Sequence, residues 1–351
     1  MPLVGVTGTN GKTTTKELLC AALSPRFRVH KSEKNYNNEI GIPFALFGLQ
    51  AEHDYAVIEM GMNHSGEIDR IAAMALPDIA VITNAAEGHL EYLGSVEGVA
   101  GAKAEIFNHM KEGSRVFINR DTQSWSLLAE KAKEKKLVVT SYGFHESADI
   151  RPENYELTEN SVSLSYEGTR YQVGLYGVHN IPNLLCAVAL GLHAGVSAGE
   201  IQQSFASFVP VSGRSEIVKG RFTLIRDTYN SNPLSLTSAL ASAAAVFPSR
   251  RKVAVLADMK ELGESSRDLH YAAGRTVVES GFSTLFVYGS DAAEIARGAI
   301  DAGLGIDCVG IFDAKEKLVA SVKAALNDDD VVLVKGSRSM KMEEVADGIL
   351  R

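Results

Sequence analysis

Three cysteines, no long apolar run and a deficit of basic charge set the first limits on this 351-residue chain. Cys20, Cys186 and Cys308 are far apart, and each sits in an apolar, helix- or strand-like context. Reduced packing thiols are therefore expected, not a disulfide framework or a cysteine metal site. No apolar stretch approaches the roughly 18 residues needed to cross a bilayer, and the first residues show a buried-strand pattern with neither a basic start nor a cleavage site. The expected location is the cytoplasm, with no membrane insertion. Lys and Arg number 35 against 43 Asp and Glu, a net charge of −8, and the cations are scattered. That lacks the basic field a nucleic-acid partner requires. Internal repeats and low-complexity tracts are absent as well. Apolar content of 45% and charged content of 22% are those of an ordinary globular protein.

What is present begins almost at the first residue. Residues 5–15 read GVTGTNGKTTT, preceded by an apolar run and followed by the helical pattern KELLCAAL. Such a strand–loop–helix turns several backbone N–H groups toward one point, adds the Lys12 ammonium, and opens a helix whose positive end faces the same point. It is a polyphosphate cradle, so Gly8, Thr9, Asn10, Gly11, Lys12, Thr13 and Thr14 are the expected nucleotide contacts. The Thr13 hydroxyl is placed to meet a magnesium ion bridging two phosphates. The ordinary P-loop pattern wants a glycine where Val6 stands; here the glycines are Gly5, Gly8 and Gly11.

At this length two domains are expected. Up to about residue 210, short apolar runs (LVGVTG, YAVIEMG, IAVITN, SRVFIN, LVVTSYG) alternate with helical stretches, as a mostly parallel sheet with crossover helices requires. Residues 157–176 alternate apolar and polar around Glu167-Gly168 and predict an antiparallel hairpin. A second series, RFTLIRD, KVAVLAD, TLFVYG and DVVLVKGS, starts near 214. The expected architecture is α/β: a P-loop ATPase domain over 1–212, then a smaller Rossmann-like domain over 213–351. The hinge falls in FVPVSGRSE, at Pro210 and Gly213.

Ligands in such folds gather at the carboxyl ends of strands. Glu59, Asn84, His89, Asp227, Asp258 and Lys335 all fall there. Singly, each reads as a cap or a solvated loop residue; beside a phosphate loop, the group reads as a site. Magnesium prefers oxygen and needs few protein ligands, which makes Glu59 the expected carboxylate. His89, in a polar loop, and Lys103, among small residues on a helical pattern, receive no role from their surroundings alone.

The loop G-x-x-G-T-N-G-K-T-T resembles that of the Mur ligases and folylpolyglutamate synthetases, and the likeness extends through the chain. In TNAAEGHLEYLGSVEGVAGAKAEIF it implies that His89 binds a second magnesium and that Lys103 is carbamylated, a change open only to an uncharged, sheltered amine. In GVHNIPN it implies that Asn180 and Asn183 meet the adenine and ribose side of ATP. Arg214 in SGRSE then corresponds to an arginine that reaches the phosphates, and Asp227 in RDTYN to a carboxylate at the nucleotide. Lys12, Glu59, His89, Lys103 and Arg214 become the catalytic set, and Thr13, Glu59, His89 and Lys103 the metal set.

DTYNSNPLSL, LADMKELGESSRDLH, VLVKGSRSMKMEEV and KNYNNEIGIP are most similar to family members that join D-alanyl-D-alanine to a UDP-N-acetylmuramoyl tripeptide. On that likeness Asn35, Asn38, Asn230 and Asn232 are substrate-side contacts. Lys335 and Arg338 read either as a basic pair for the dipeptide carboxylate or as solvated loop cations. The implied activity is ATP-dependent amide ligation through an acyl phosphate, in peptidoglycan precursor synthesis. A different amine donor within the family, or nucleotide binding without ligation, are the alternatives. Family members begin with a domain that holds the UDP group, and at most four residues precede the loop here, so the resemblance implies a fragment or a partner domain elsewhere. Two departures stand out: Ser212 replaces a common proline before the Gly-Arg pair, and Glu87-Gly88 precede His89 where small residues or proline are usual.

Overall fold

The alternation of apolar runs and helical stretches builds two compact units in the computed structural model, which describes residues 1–33 and 36–351. The first comprises Met1–Glu156, Val162–Gly174 and His179–Val209; the second comprises Leu157–Ser161, Leu175–Val178 and Pro210–Arg351.

The first unit is built on β1 (Leu3–Thr7), β2 (Val29–Lys31), β3 (Tyr55–Glu59), β4 (Ile79–Ile82), β5 (Arg115–Asn119) and β6 (Val138–Tyr142), in spatial order β2-β3-β1-β4-β5-β6. Every pairing in this sheet is parallel. Central strands of a parallel sheet are buried on both faces, which is why β1 is an unbroken apolar run, buried at each residue. The helices are α1 (Lys12–Leu23), α2 (Gly41–Phe47), α3 (Glu67–Ala75), α4 (Leu90–Leu93), α5 (Val96–Ala104), α6 (Trp125–Glu134), α7 (Asn180–His193) and α8 (Ala198–Phe205). Because β1 lies between β3 and β4, the crossovers leave it in opposite directions. Its carboxyl end is thus the switch point, the place at which such sheets bind ligands.

A three-stranded sheet of β7 (Asn154–Leu157), β8 (Val162–Tyr166) and β9 (Thr169–Val173) contains the expected hairpin. Its turn has Glu167 at φ 50° and Gly168 at φ 69°, the two left-handed residues that match the twist of the flanking strands.

The second unit has β10 (Glu216–Lys219), β11 (Thr223–Asp227), β12 (Lys252–Ala257), β13 (Thr284–Tyr288), β14 (Val309–Phe312) and β15 (Val331–Lys335), ordered β10-β11-β15-β12-β13-β14. Within this sheet, among the described residues, only the β10–β11 pairing is antiparallel. Its helices are α9 (Pro233–Val246), α10 (Ser266–Glu279), α11 (Ala292–Asp301), α12 (Lys315–Ala325) and α13 (Glu343–Leu350). Leu224, Val253, Val255, Val332 and Val334 of the sheet pack with Leu318 and Val322 of α12 and Val345 and Ile349 of α13.

Candidate active site

The glycine loop takes its shape from two close approaches. Gly8 has φ 154°, and a Cβ there would lie 1.8 Å from Thr83 Oγ1; Gly11 has φ 80°, and a Cβ there would lie 2.8 Å from Asn183 Oδ1. The segment after β4 pins the loop from one side. Thr9 N–H donates to Asn84 O (3.0 Å), Asn10 N–H to Asn84 Oδ1 (2.9 Å), and the Thr83 hydroxyl to Asn10 O (2.6 Å). From α7, Asn183 Oδ1 accepts the Thr15 hydroxyl at 3.2 Å while its Nδ2 donates to Asn180 Oδ1 at 3.1 Å. Asn180 and Asn183 are both buried, so Asn183 braces the start of α1. The Lys12 ammonium lies over the loop, donating to the carbonyls of Gly8 (2.8 Å) and Thr9 (3.2 Å). Thr14 is half-buried on the first turn of the helix.

At the base of the loop the Thr13 hydroxyl donates to Glu59 Oε2 at 2.8 Å, and Asn37 Nδ2 donates to Glu59 Oε1 at 2.9 Å. The strand end that carries Glu59 is itself held: its N–H donates to Ser32 Oγ (3.1 Å), and the buried Lys16 ammonium donates to Ser32 O (2.7 Å). Sequence reasoning missed Asn37, Lys16 and Thr83. Asn37 stands in a run with Asn35 and Asn38, chemically alike, and only the path of the chain selects among them. Asn35 lies outside the described residues. Asn38 is exposed, and its Oδ1 accepts from Gly41 N–H (2.8 Å) at the start of α2.

His89 precedes α4 with φ 58°, a left-handed conformation that histidine enters more readily than most residues. Lys103 sits in the last turn of α5 and is 2% exposed. Burial pulls its amine well below the usual lysine value, and the nearby Lys12 ammonium pushes in the same direction.

In the second unit the Arg214 guanidinium lies over the Tyr229 ring, 4.1 Å from its centroid. Ser215 N–H donates to Asp227 Oδ1 at 3.1 Å. The Lys335 ammonium donates to Asp227 Oδ2 and, at 2.9 Å, to Asn230 O. Asp227 and Lys335 face each other because β11 and β15 pair in that register. Lys335 is therefore a buried, paired ammonium and not a solvated loop cation. Arg338 is exposed; its backbone N–H meets Asn230 Oδ1 at 3.3 Å and its guanidinium pairs with Glu343 at 3.0 Å. Asn232 caps α9, its Oδ1 accepting from Ser235 N–H at 2.9 Å, so the Asn-Pro step works as a helix start. Asp258, at the end of β12, is fully buried, and its carboxylate accepts from Lys260 Nζ (2.7 Å), Ser290 N–H (2.8 Å) and Asp291 N–H (3.1 Å). Asp258, His270 and Asp291 cluster within 4.8 Å. Both His270 nitrogens are engaged there, Nδ1 with Ser266 O (2.7 Å) and Nε2 with Met259 N–H (2.9 Å), which makes the cluster a packing device and no metal centre.

A phosphate loop at the switch point of one parallel sheet, followed by a second α/β unit, defines a nucleotide-dependent enzyme, and the chain belongs to the Mur ligase family, ATP-dependent ligases that form C–N bonds. Residues 6–191 match the Mur ligase middle domain, and residues 213–338 match the Mur ligase glutamate ligase domain. The chain is similar to the UDP-N-acetylmuramoyl-tripeptide–D-alanyl-D-alanine ligase of Bacillus subtilis (strain 168), 34% identical over 360 residues that cover 99% of this chain and 76% of that one. The protein of the same name from Escherichia coli (strain K12) is 34% identical over 352 residues, covering 98% and 75%. Among solved structures, MurF from Acinetobacter baumannii superposes with a TM-score of 0.89 at 30% identity, covering 100% of this chain and 77% of that chain. MurF ligase from Thermotoga maritima in complex with ADP gives a TM-score of 0.86 at 27% identity, covering 99% and 79%. The chain thus spans about three quarters of the length of these relatives. No helix among the described residues is long and apolar enough to cross a membrane.

Proposed function

We propose that this chain is a cytoplasmic, ATP-dependent peptide ligase that attaches D-alanyl-D-alanine to a UDP-N-acetylmuramoyl tripeptide in peptidoglycan precursor synthesis. A terminal carboxylate oxygen of the tripeptide attacks the γ-phosphorus of ATP, the bond to the bridging oxygen breaks, and ADP leaves an acyl phosphate. The dipeptide amine then attacks the acyl carbon, loses a proton and expels inorganic phosphate, forming the amide. The observation that carries this reading is the Thr13–Glu59 contact of 2.8 Å, a hydroxyl and a carboxylate meeting at the base of the glycine loop.

Such hard oxygen donors fit magnesium, which Thr13 and Glu59 would hold, with His89 and Lys103 holding a second ion. Bound magnesium neutralises the charge that builds on the transferring phosphoryl group. Lys103 fits the second place as a carbamate: burial favours its uncharged form, which would take up carbon dioxide and release a proton, putting an anionic oxygen where a cation would stand. Residues 8–14 bind the phosphates, with Lys12 offsetting their charge. Asn180 and Asn183 serve the nucleoside side. Arg214, presented by the turn before β10, acts on transferring charge, and Asp227 meets the nucleotide, oriented by Lys335. Asn35, Asn38, Asn230, Asn232 and Arg338 belong to the substrate side, Asn232 through the helix it caps. The functional boundary lies at 212/213.

Coupled ADP release with D-alanyl-D-alanine and with other amines tests the reading. Release that requires both the tripeptide acceptor and the dipeptide is the expected result. Release with another amine reassigns the donor, and magnesium-ATP binding with no product at any acceptor concentration leaves only a nucleotide-binding unit. No magnesium-ATP binding to folded protein, by calorimetry, overturns the assignment.

A further inference from the structure

The chain after Glu59 and the helix that carries Lys103 are tied together by a polar clamp. Helix α3 starts beyond Gly66, an N-cap with no side chain, so its first amides have no local acceptor. Glu105, two positions beyond Lys103, supplies one from another element. Its Oε1 accepts from Gly66 N–H (2.7 Å) and the Ser65 hydroxyl (2.9 Å), and its Oε2 accepts from Asp69 N–H (3.2 Å). A negative group at this end also suits the helix dipole. The grip is returned: Asp69 Oδ1 accepts from Asn108 Nδ2 at 2.8 Å and meets His109 Nε2 at 3.1 Å. The Asn108 hydrogen bond, foremost, holds the Asp69 carboxyl below its ordinary range. The 3-10 turn Glu105–His109 and the first turn of α3 are thus bonded in both directions.

Gly66 is the end of the segment that leaves β3 at Glu59, and Glu105 closes the helix that presents Lys103. We infer that Glu105 is a positioning residue that sets the separation between the Lys103 amine and the Glu59 carboxylate, and so between the two proposed ion sites. The inference rests on the proposed role of Lys103 as a carbamylated ligand. Glu105→Gln keeps the length of the side chain but turns an NH₂ group toward an N–H donor; Asn108→Ala removes one of the two returning contacts, leaving that of His109, and guards against a Glu105 variant that does not fold.

Two readouts apart from turnover test it: the ¹³C signal of the lysine carbamate in ¹³C-bicarbonate, and manganese affinity by electron paramagnetic resonance with nucleotide bound. In Glu105→Gln the carbamate signal is expected to fall at least twofold and manganese to bind about tenfold more weakly, the scale seen for groups that orient metal ligands. Nucleotide affinity stays within about twofold, and Asn108→Ala shows a smaller change in the same direction. Lys103→Ala sets the zero of the carbamate signal. Wild-type carbamate and manganese affinity in both variants, with only a lower Tm, would make Glu105 a helix cap and overturn the inference. A wild-type protein without any carbamate signal overturns the role of Lys103 itself, and the inference with it.

Discussion

Replacing Gly8 by alanine measures how firmly the end of β4 holds the phosphate loop. The new Cβ would lie 1.8 Å from Thr83 Oγ1 and 3.2 Å from Asn84 N, far inside the ~3.5 Å optimum for nonbonded heavy atoms. The threonine must turn away, which breaks its 2.6 Å bond to Asn10 O. Asn10 O keeps its bond from Asn84 Nδ2 at 3.2 Å, so the cost, about 1–3 kcal/mol, falls on the buried Thr83 hydroxyl. Holding alanine at φ 154° adds about 1–3 kcal/mol. A total of about 2–6 kcal/mol is a large share of the ~5–15 kcal/mol that keeps a domain folded.

Thr83→Ala alone loses the same bond, about 1–3 kcal/mol, but in the double variant it also removes the atom that the new Cβ strikes. The two penalties are therefore expected to add to less than their sum, with a coupling of about 1 kcal/mol or more. Urea unfolding followed by the fluorescence of Trp125, the single tryptophan and part of the first unit, supplies the four stabilities. Calorimetry with magnesium-ATP gives the functional counterpart, an affinity at least about tenfold weaker in Gly8→Ala, equivalent to ~1.4 kcal/mol. Penalties that add within about 0.5 kcal/mol would show that Thr83 does not brace the loop.

Arg214→Ala should slow ADP release by about a thousandfold, as removal of a charge-stabilising arginine does, with less than about a tenfold change in nucleotide affinity; equal losses in both would make it a binding residue only. Lys103 titrates in the fold well below 10.5, so between that lowered value and 10.5 the unfolded chain binds the extra proton and stability rises with pH. Lys103→Met, in buffer free of carbon dioxide, should therefore raise the unfolding free energy at pH 7, and the gain should shrink as pH rises toward 10.5. A gain that grows with pH contradicts the sign. Lys335→Met leaves Asp227 facing an uncharged neighbour and should cost about 3–5 kcal/mol by denaturant unfolding, with Asp227→Asn in the same chain recovering part of it. A loss under ~1 kcal/mol, typical of an exposed pair, would count against a buried one.

These variants divide according to how local the information is. The phosphate loop was legible because Gly8, Gly11 and Lys12 act within a few residues of one another, and their backbone needs are written in composition. Strands β1, β3, β12 and β15 were legible for a related reason: burial on both faces demands unbroken apolar runs. Strands β2, β10 and β14 gave no such signal, since each is three or four residues long, largely half-exposed and placed at a sheet edge. A strand with one open side need not be apolar. The partners of the site residues were hidden by the same logic. Lys335 looked like a free cation at a strand end because its counter-ion, Asp227, is set by the β11–β15 register across more than a hundred residues. Glu105 carried no signal in the sequence, because the amides it accepts from begin at Gly66, in another element. Asn232, read from the sequence only as a substrate-side contact, caps α9 in the fold, with Ser235 completing the box. Residue type and spacing reveal which groups can meet phosphate and metal. Which neighbour holds each of them in place depends on strand register and on contacts between elements, and these arise only when the sheet closes.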